Sequence, residues 1–259
     1  MASPERPAEF VQSLERGLAV IRAFSAERPR LTLSDVARET GMTRAAARRF
    51  LITLESLGYV STDGKLFTLR PSVLQLGYAY LSSLSMTQIA QDHLERLAGD
   101  LHESCSGAVL DGDDIVYVAR AFTNRIMTIG LSVGARLPAY CTSMGRVLLA
   151  GIDAADLDAY LRHVDMPRRT AQTITEPDAL REEIERVRAQ GWCLLDQELE
   201  EGVRSIAVPL HDATGKVVAA INTSAHTTRV PLAQLHEEFL PMLQACGAAI
   251  DHDLAGIQL

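Results

Sequence analysis

The chain has 259 residues, 47% of them hydrophobic, and a formal net charge of −8. That length can bury two cores, one small and one large. The opening Met1-Ala2-Ser3-Pro4-Glu5-Arg6-Pro7 lacks the apolar core of a secretory signal, and no apolar run approaches the ~18–20 residues of a membrane span.

After a polar tail at 1–9, residues 11–24 predict a helix. Leu14, Leu18, Ile21 and Phe24 would wall a small core, with Arg16 and Arg22 on its more exposed side. Residues 32–40 predict a short helix, with Thr32 or Ser34 as N-cap. Gly41-Met42 supplies a sharp turn, because glycine enters the left-handed conformation at little steric cost. Thr43 caps a longer helix over 44–57, closed by Gly58. Ala47, Phe50, Leu51, Leu54 and Leu57 form its buried stripe, and Ala45, Arg48 and Arg49 point away from it.

An arginine fork suits phosphates and the O6/N7 edge of guanine, and small alanines let the backbone approach a groove. A solvated basic face on an ordinary helix would look the same. The neighbouring hairpin favours the first reading. Residues 59–69 hold two short strand-like runs around Asp63-Gly64, a strong hairpin signal. Helix, turn, basic helix and hairpin is the order of a winged helix-turn-helix, here over 10–71. The predicted DNA-contacting residues are Thr43, Arg44, Ala45, Arg48 and Arg49, joined by Arg16 and by Lys65 on the wing. Charge agrees. Residues 1–70 carry 11 Lys+Arg against 8 Asp+Glu, and the remainder carries 14 against 25. Only the mildly basic head is suited to phosphate.

Residues 72–84 predict a helix too apolar for a free surface. It buries itself either in a second chain, giving a dimer, or against its own domains. Linker and dimerisation helix together are assigned to 72–86. The remaining stretch, 87–259, reads as α+β. A helix over 87–103 carries Leu94, Leu97, Ala98 and Leu101. Strands follow at 108–110, 115–119 and 127–131, with a hairpin at 111–114. Helices return at 142–151, 154–163 and 178–190, the last between Pro177 and Gly191. Strands at 205–211 and 216–225 precede a C-terminal helix opened by Pro231 with Leu235, Phe239, Met242, Leu243, Cys246 and Ile250. A sheet with helices on its faces is similar to a small-molecule sensor domain.

Three features of this domain suggest ligand chemistry. Residues 137–146 run from a strand edge into a helix capped by Thr142 or Ser143. The amides of Ser143, Met144 and Gly145 would face an anion, or Thr142 simply caps a helix. Asn222 and Ser224 share a face with Val218 and Ala220 by the two-residue period. They meet either a polar ligand or neighbouring backbone and water. The acidic loop within 191–209 is either a lid or a solvated turn, with Asp196 and Ser205 as its pocket candidates.

Cys105, Cys141, Cys193 and Cys246 form no C-x-x-C pair and read as reduced thiols of a cytoplasmic protein. An alternative function is a thiol enzyme acting on a small acid through Cys105, three residues after His102, or Cys141. No G-x-S-x-G, H-E-x-x-H or dinucleotide fingerprint is present, and neither a cofactor nor a metal site is predicted.

Several motifs together resemble the IclR family of bacterial transcriptional regulators across nearly the whole chain. They are Ser13-Leu14-Glu15-Arg16-Gly17-Leu18, Gly41-Met42-Thr43, Leu57-Gly58-Tyr59-Val60, Gly134-Ala135-Arg136-Leu137-Pro138 and Gly202-Val203-Arg204-Ser205-Ile206-Ala207-Val208-Pro209. The runs Thr43–Leu51 and Thr142–Ala150 are similar to the branch that controls aromatic-acid catabolism, including the β-ketoadipate pathway and 4-hydroxybenzoate use. The resemblance implies a winged helix-turn-helix, a dimerising linker helix and a GAF-like effector domain. It implies operator DNA, a homodimer or tetramer, and RNA polymerase as a partner if the protein activates. The implied effector is an anion such as protocatechuate, 4-hydroxybenzoate or β-ketoadipate, held by Ser143, Met144, Asn222 and Ser224, with Ile129, Leu137 and Ser205. Some relatives that sense small oxo-acids carry Cys in place of Ser205 and an acid in place of Leu195. That departure implies a larger, partly apolar ligand.

Overall fold

The computed structural model describes residues 7, 9–25, 27–76, 85–122 and 132–255. The chain divides into two units, Met1–Ser83 and Leu84–Leu259, each considered by itself.

The first unit runs α1 (Gln12–Arg22), β1 (Arg30–Thr32), α2 (Leu33–Thr40), α3 (Arg44–Ser56), β2 (Val60–Thr62) and β3 (Leu66–Leu69). Local hydrogen bonds set its joints. Of the two candidate caps it is Thr32 that starts α2. Its hydroxyl accepts from the Asp35 amide at 3.2 Å, and the Asp35 carboxylate accepts from the Thr32 amide at 3.0 Å. Gly41 ends α2 at φ 65°, and the Thr43 hydroxyl accepts from the Ala46 amide at the start of α3. The wing is the expected β2–β3 hairpin. β1, too short to show a period, joins it in a three-stranded antiparallel sheet ordered β1-β3-β2.

Val20, Ala23, Phe24, Leu31, Val36, Ala47, Leu51, Leu54 and Val60 form the small core. Leu14 and Leu18 are not in it. They are 62% and 37% exposed, because α1 packs through Val20 and the Ala23-Phe24 pair at its end, on another side of the helix. Leu57 is 63% exposed for a simpler reason: it is the residue that ends α3, past the last buried turn. Phe50 is half-buried. Of the linker expected at 72–84, Pro71–Val73 form a 3-10 turn and 74–76 are helical. The rest of it lies outside the described residues.

The second unit begins with α4 (Ser85–Leu101), two residues before the expected start. Then come β4 (Ser104–Asp111), β5 (Asp114–Ala121), β6 (Arg136–Pro138), α5 (Ser143–Gly151), α6 (Ala154–His163), α7 (Pro177–Gln190), β7 (Cys193–Asp196), β8 (Val203–His211) and β9 (Val217–His226). A short α8 (Leu232–Gln234) leads through a π-helical turn at Leu235–Phe239 into α9 (Leu240–Ala255). The strand expected at 127–131 lies outside the described residues. β7 falls where the sequence predicts a loop, and it pairs with β8 at the sheet edge. The six strands are antiparallel in the order β6-β5-β4-β9-β8-β7.

Helices cover both faces of this sheet. Ala90, Leu94, Leu97 and Leu101 of α4 and Leu243 and Ile250 of α9 pack with Ile206, Val208 and Ile221 on one face. Met144, Leu148, Leu157, Leu180 and Ile184 of α5–α7 pack with Ile115, Ala207 and Ala220 on the other. Met242, expected in the core, is 36% exposed.

The cap of α2 is testable. Thr32→Ala should cost the first unit about 0.5–2 kcal/mol, read as faster amide exchange in α2. Hydrogen bonds from Thr32 hold the Asp35 carboxyl below its ordinary range. A lowered pKa stabilises the fold above the ordinary value and loses that contribution as pH falls through the lowered one. The difference between wild type and Thr32→Ala should therefore shrink in acid.

Candidate DNA-binding and effector sites

The amino end of α3 carries Thr43, Arg44, Ala45, Arg48 and Arg49, all exposed. The buried stripe of Ala47, Leu51 and Leu54 turns these arginines outward. Among the described residues, no carboxylate lies within ion-pair range of Arg44, Arg48 or Arg49. Arg16 of α1 and Arg49 line one groove with Ala46, Phe50 and Thr53. Lys65 is exposed at the wing turn, where Asp63 accepts from its amide at 3.0 Å. Arg30 of β1 salt-bridges Asp63, a restraint on the wing that no local pattern in the sequence signals. All the predicted contact residues of the first unit thus lie on its surface.

In the second unit a cavity of about 50 Å³ opens between the start of α5 and the sheet. Thr142 caps α5: its hydroxyl accepts from the Gly145 amide at 3.2 Å and donates to the Pro138 carbonyl at 3.0 Å. The Gly145 amide is thereby occupied, which corrects its expected place in an anion site. Ser143 and Met144 remain as first-turn donors. The Ser143 hydroxyl is buried, without a hydrogen-bond partner among the described residues, in the wall of the cavity. A side chain at 145 would drive its Cβ to 2.2 Å from the Ala139 carbonyl oxygen, so only glycine lets the turn close this tightly.

Across the cavity stand Asn222, Ser224 and Ser205. The Asn222 amide donates to the Ser224 hydroxyl at 3.1 Å, and Ser205 is the direct cross-strand partner of Ser224. Val218 does not share their face. It is an extra residue in β9, between Val217, which pairs with His211, and Ala219, which pairs with Leu210. That bulge shifts the phase, so Val218 packs with α4 and α9 and Ala220 with α5–α7. Leu137, Met144 and Ser205 line the cavity as predicted. Ile129 lies outside the described residues.

Asp196 is a correction. Its carboxylate accepts from Arg204 Nε at 2.6 Å and does not line the cavity. The acid in the wall is Glu198. Arg146, 1% exposed, donates to both oxygens of Glu198 and to the Tyr140 carbonyl, and lies 3.8 Å from Glu183. The loop that carries Glu198 is held by Thr170 and Thr173, whose hydroxyls donate to the Gln197 and Glu198 carbonyls at 2.7 Å. Gln197 adopts φ 63°, strained for a non-glycine residue. Cys141, Leu195 and Val203 also line the cavity, and so do Tyr117 and Leu199. Neither of these last two carries a sequence signal, since one depends on a cross-strand register and the other on a loop without a period.

The thiols do not suit nucleophilic chemistry. Burial pushes Cys105 and Cys193 up to about 12 and Cys246 to about 11, and raises Cys141. An activated thiolate needs the opposite shift. Among the described residues no group of three metal-binding side chains converges, and no helix is long and apolar enough to cross a membrane.

The family models settle the class. The IclR helix-turn-helix domain matches residues 13–64, and the model described as bacterial transcriptional regulator IclR C-terminal matches 78–252. The chain belongs to the IclR family. It is therefore a DNA-binding transcriptional regulator with an effector domain, and not the thiol enzyme considered as an alternative. It is 50% identical over 249 residues to the Pca regulon regulatory protein of Pseudomonas putida, covering 96% of this chain and 86% of that one. A transcriptional regulator structure from Rhodococcus sp. RHA1 is 55% identical, with TM-score 0.87, covering 96% and 100%. The inducer-binding domain of the PobR transcription factor from Acinetobacter, a double mutant in complex with 3-hydroxybenzoic acid, is 34% identical. Its TM-score is 0.61, covering 64% of this chain and 97% of that one.

The buried ion pair gives a sharp expectation. Arg146→Ala leaves Glu198 unpaired and should destabilise the second unit by about 3–5 kcal/mol. Trp192, the one tryptophan of the chain, packs against that unit's core and reports its unfolding by fluorescence. Arg146→Met with Glu198→Leu should recover much of the loss.

Proposed function

We propose that this regulator controls genes of aromatic-acid catabolism in response to a carboxylic acid bound between the start of α5 and the sheet. One observation carries the ligand reading: the unpartnered Ser143 hydroxyl, at a helix start facing Asn222, Ser224 and Ser205. Buried polar groups call for partners, and first-turn amides with a helix dipole favour an anion. The Glu198 charge beside this site is balanced by Arg146, so it does not repel an acid. The Pca regulon regulator and the 3-hydroxybenzoic acid complex support an aromatic or dicarboxylic effector.

Operator contacts are assigned to Thr43, Arg44, Ala45, Arg48 and Arg49 of α3, Arg16 of α1 and Lys65 of the wing. The protein acts in the cytoplasm as a homodimer or a higher assembly of dimers. Val11, Leu14 and Leu18 leave an apolar strip exposed along α1, which a second copy would cover. Two wings in one assembly require a repeated operator element. RNA polymerase is a further partner if the protein activates.

Three measurements test this. Replacing Arg44, Arg48 and Arg49 by alanine should abolish specific operator binding with the fold intact; Arg49→Ala alone, if it reads a guanine, should cost about 1–3 kcal/mol and relax one base position. Unchanged affinity in the triple variant would refute the assignment. Light scattering at micromolar concentration should give a dimer or larger. Titrating operator binding with 4-hydroxybenzoate, protocatechuate and adipate should show a response to at least one. Ser224→Ala should weaken it while leaving ligand-free DNA affinity nearly unchanged. An equal response to the methyl ester would place the pocket elsewhere.

A further inference from the structure

Arg120 of β5 is a buried cation with no counter-ion among the described residues. It is 8% exposed, and its Nε and Nη1 are buried without hydrogen-bond partners. Among the described residues no carboxylate pairs with it. Its neighbours are aromatic. The guanidinium carbon lies 4.8 Å from the Phe122 ring centre and 5.8 Å from that of Tyr117. Ring faces attract a cation but leave its N–H donors unsatisfied.

A bulge aims this side chain. Gly107 of β4 pairs with Ala119, but the next residue, Ala108, pairs with Tyr117, so Val118 is extra. Before the bulge, Ile115 and Tyr117 face α5–α7; after it, Ala119 and Ala121 face α4 and α9. Without the extra residue Arg120 would point to the α4 side. With it, Arg120 faces the side of the effector cavity. The register agrees. Arg120 is directly opposite Ser106, which is directly opposite Asn222, which lines the cavity. Directly paired residues share a face. The Gln91 side chain fixes the strand there, donating to the Arg120 carbonyl at 3.1 Å and accepting from its amide at 3.2 Å.

We propose that Arg120 is a second anion-binding end of the effector pocket, the residue that distinguishes a diacid from a monoacid held at the start of α5. This rests on the carboxylate reading of α5. Asn222 and Arg120 are two strand spacings apart, about 10 Å. A diacid held beside Asn222 can reach toward the guanidinium, and a monoacid of the same length offers it only a methyl group. A carboxylate matches the guanidinium fork and cancels its charge, whereas a neutral phenol accepts a hydrogen bond and leaves the charge in place. Tyr117 lines the present cavity and packs against Arg120, so its ring turns aside as the ligand enters. Burial also pulls the Arg120 pKa below its ordinary value, as a missing counter-ion requires.

The test uses the full chain and two probes of equal length, adipate and hexanoate, in calorimetric titrations. Wild type should prefer adipate by about ten- to a hundredfold. Arg120→Gln should reduce adipate binding to the level of hexanoate and leave hexanoate unchanged, and Arg120→Lys should restore part of the preference. Equal binding of the two acids by wild type, or an unaltered preference in Arg120→Gln, would overturn the second end while keeping the α5 site. Failure of both acids to bind would overturn both readings. Ligand-free Arg120→Met should melt at or above the wild-type temperature, because an unpaired charge leaves the interior. A large fall in melting temperature would make Arg120 a structural residue and overturn the proposal.

Discussion

The Arg146 guanidinium is almost completely buried and is paired, and the arrangement of the effector domain depends on how that is done. Arg146 sits in the first turns of α5, and its acid comes from the loop between β7 and β8. The pair therefore ties the helix start to that loop. Thr170 and Thr173 hold the same loop from the other side. The outcome is a helix terminus and an acidic wall fixed relative to each other, with the acid's charge neutralised internally. Amides at a helix start are a general feature. Here they lie beside a buried hydroxyl without a partner, in a wall whose own carboxylate is already engaged.

The same pairing explains why part of the pocket was legible in the sequence and part was not. Asn222 and Ser224 stand out because polar residues at a two-residue period in an apolar strand are conspicuous, Ser205 enters with the acidic loop before its strand, and all three line the cavity. The acid was another matter. Asp196 and Glu198 are two residues apart, and no local pattern says which turns inward. Tertiary partners decide: Arg204 takes Asp196 and Arg146 takes Glu198. Two bulges mark the second limit. Val118 and Val218 each break the alternation of their strands. Strict alternation puts Val218 on the wrong face and turns Arg120 away from the cavity.

In the DNA-binding unit the punctuation was legible and the faces were less so. Thr32, Gly41, Thr43 and the Asp63-Gly64 turn act through hydrogen bonds and backbone conformation within a few residues, and each falls where expected. The helix α1 is apolar on more than one side. Leu14 and Leu18 make as good a stripe as Val20, Ala23 and Phe24, and only packing against α2 and α3 selects between them. β1, three residues long, exists because β3 offers it a free edge.

The size of the cavity sets a threshold on what the regulator can hear. Its volume of about 50 Å³ is well below the ~300 Å³ and above of ordinary small-molecule pockets. For the effector proposed above to settle there, the wall has to part. Apparent affinity is then the intrinsic affinity scaled by the fraction of molecules already open. The rarer the open form, the higher the concentration of effector at which the proposed pocket fills.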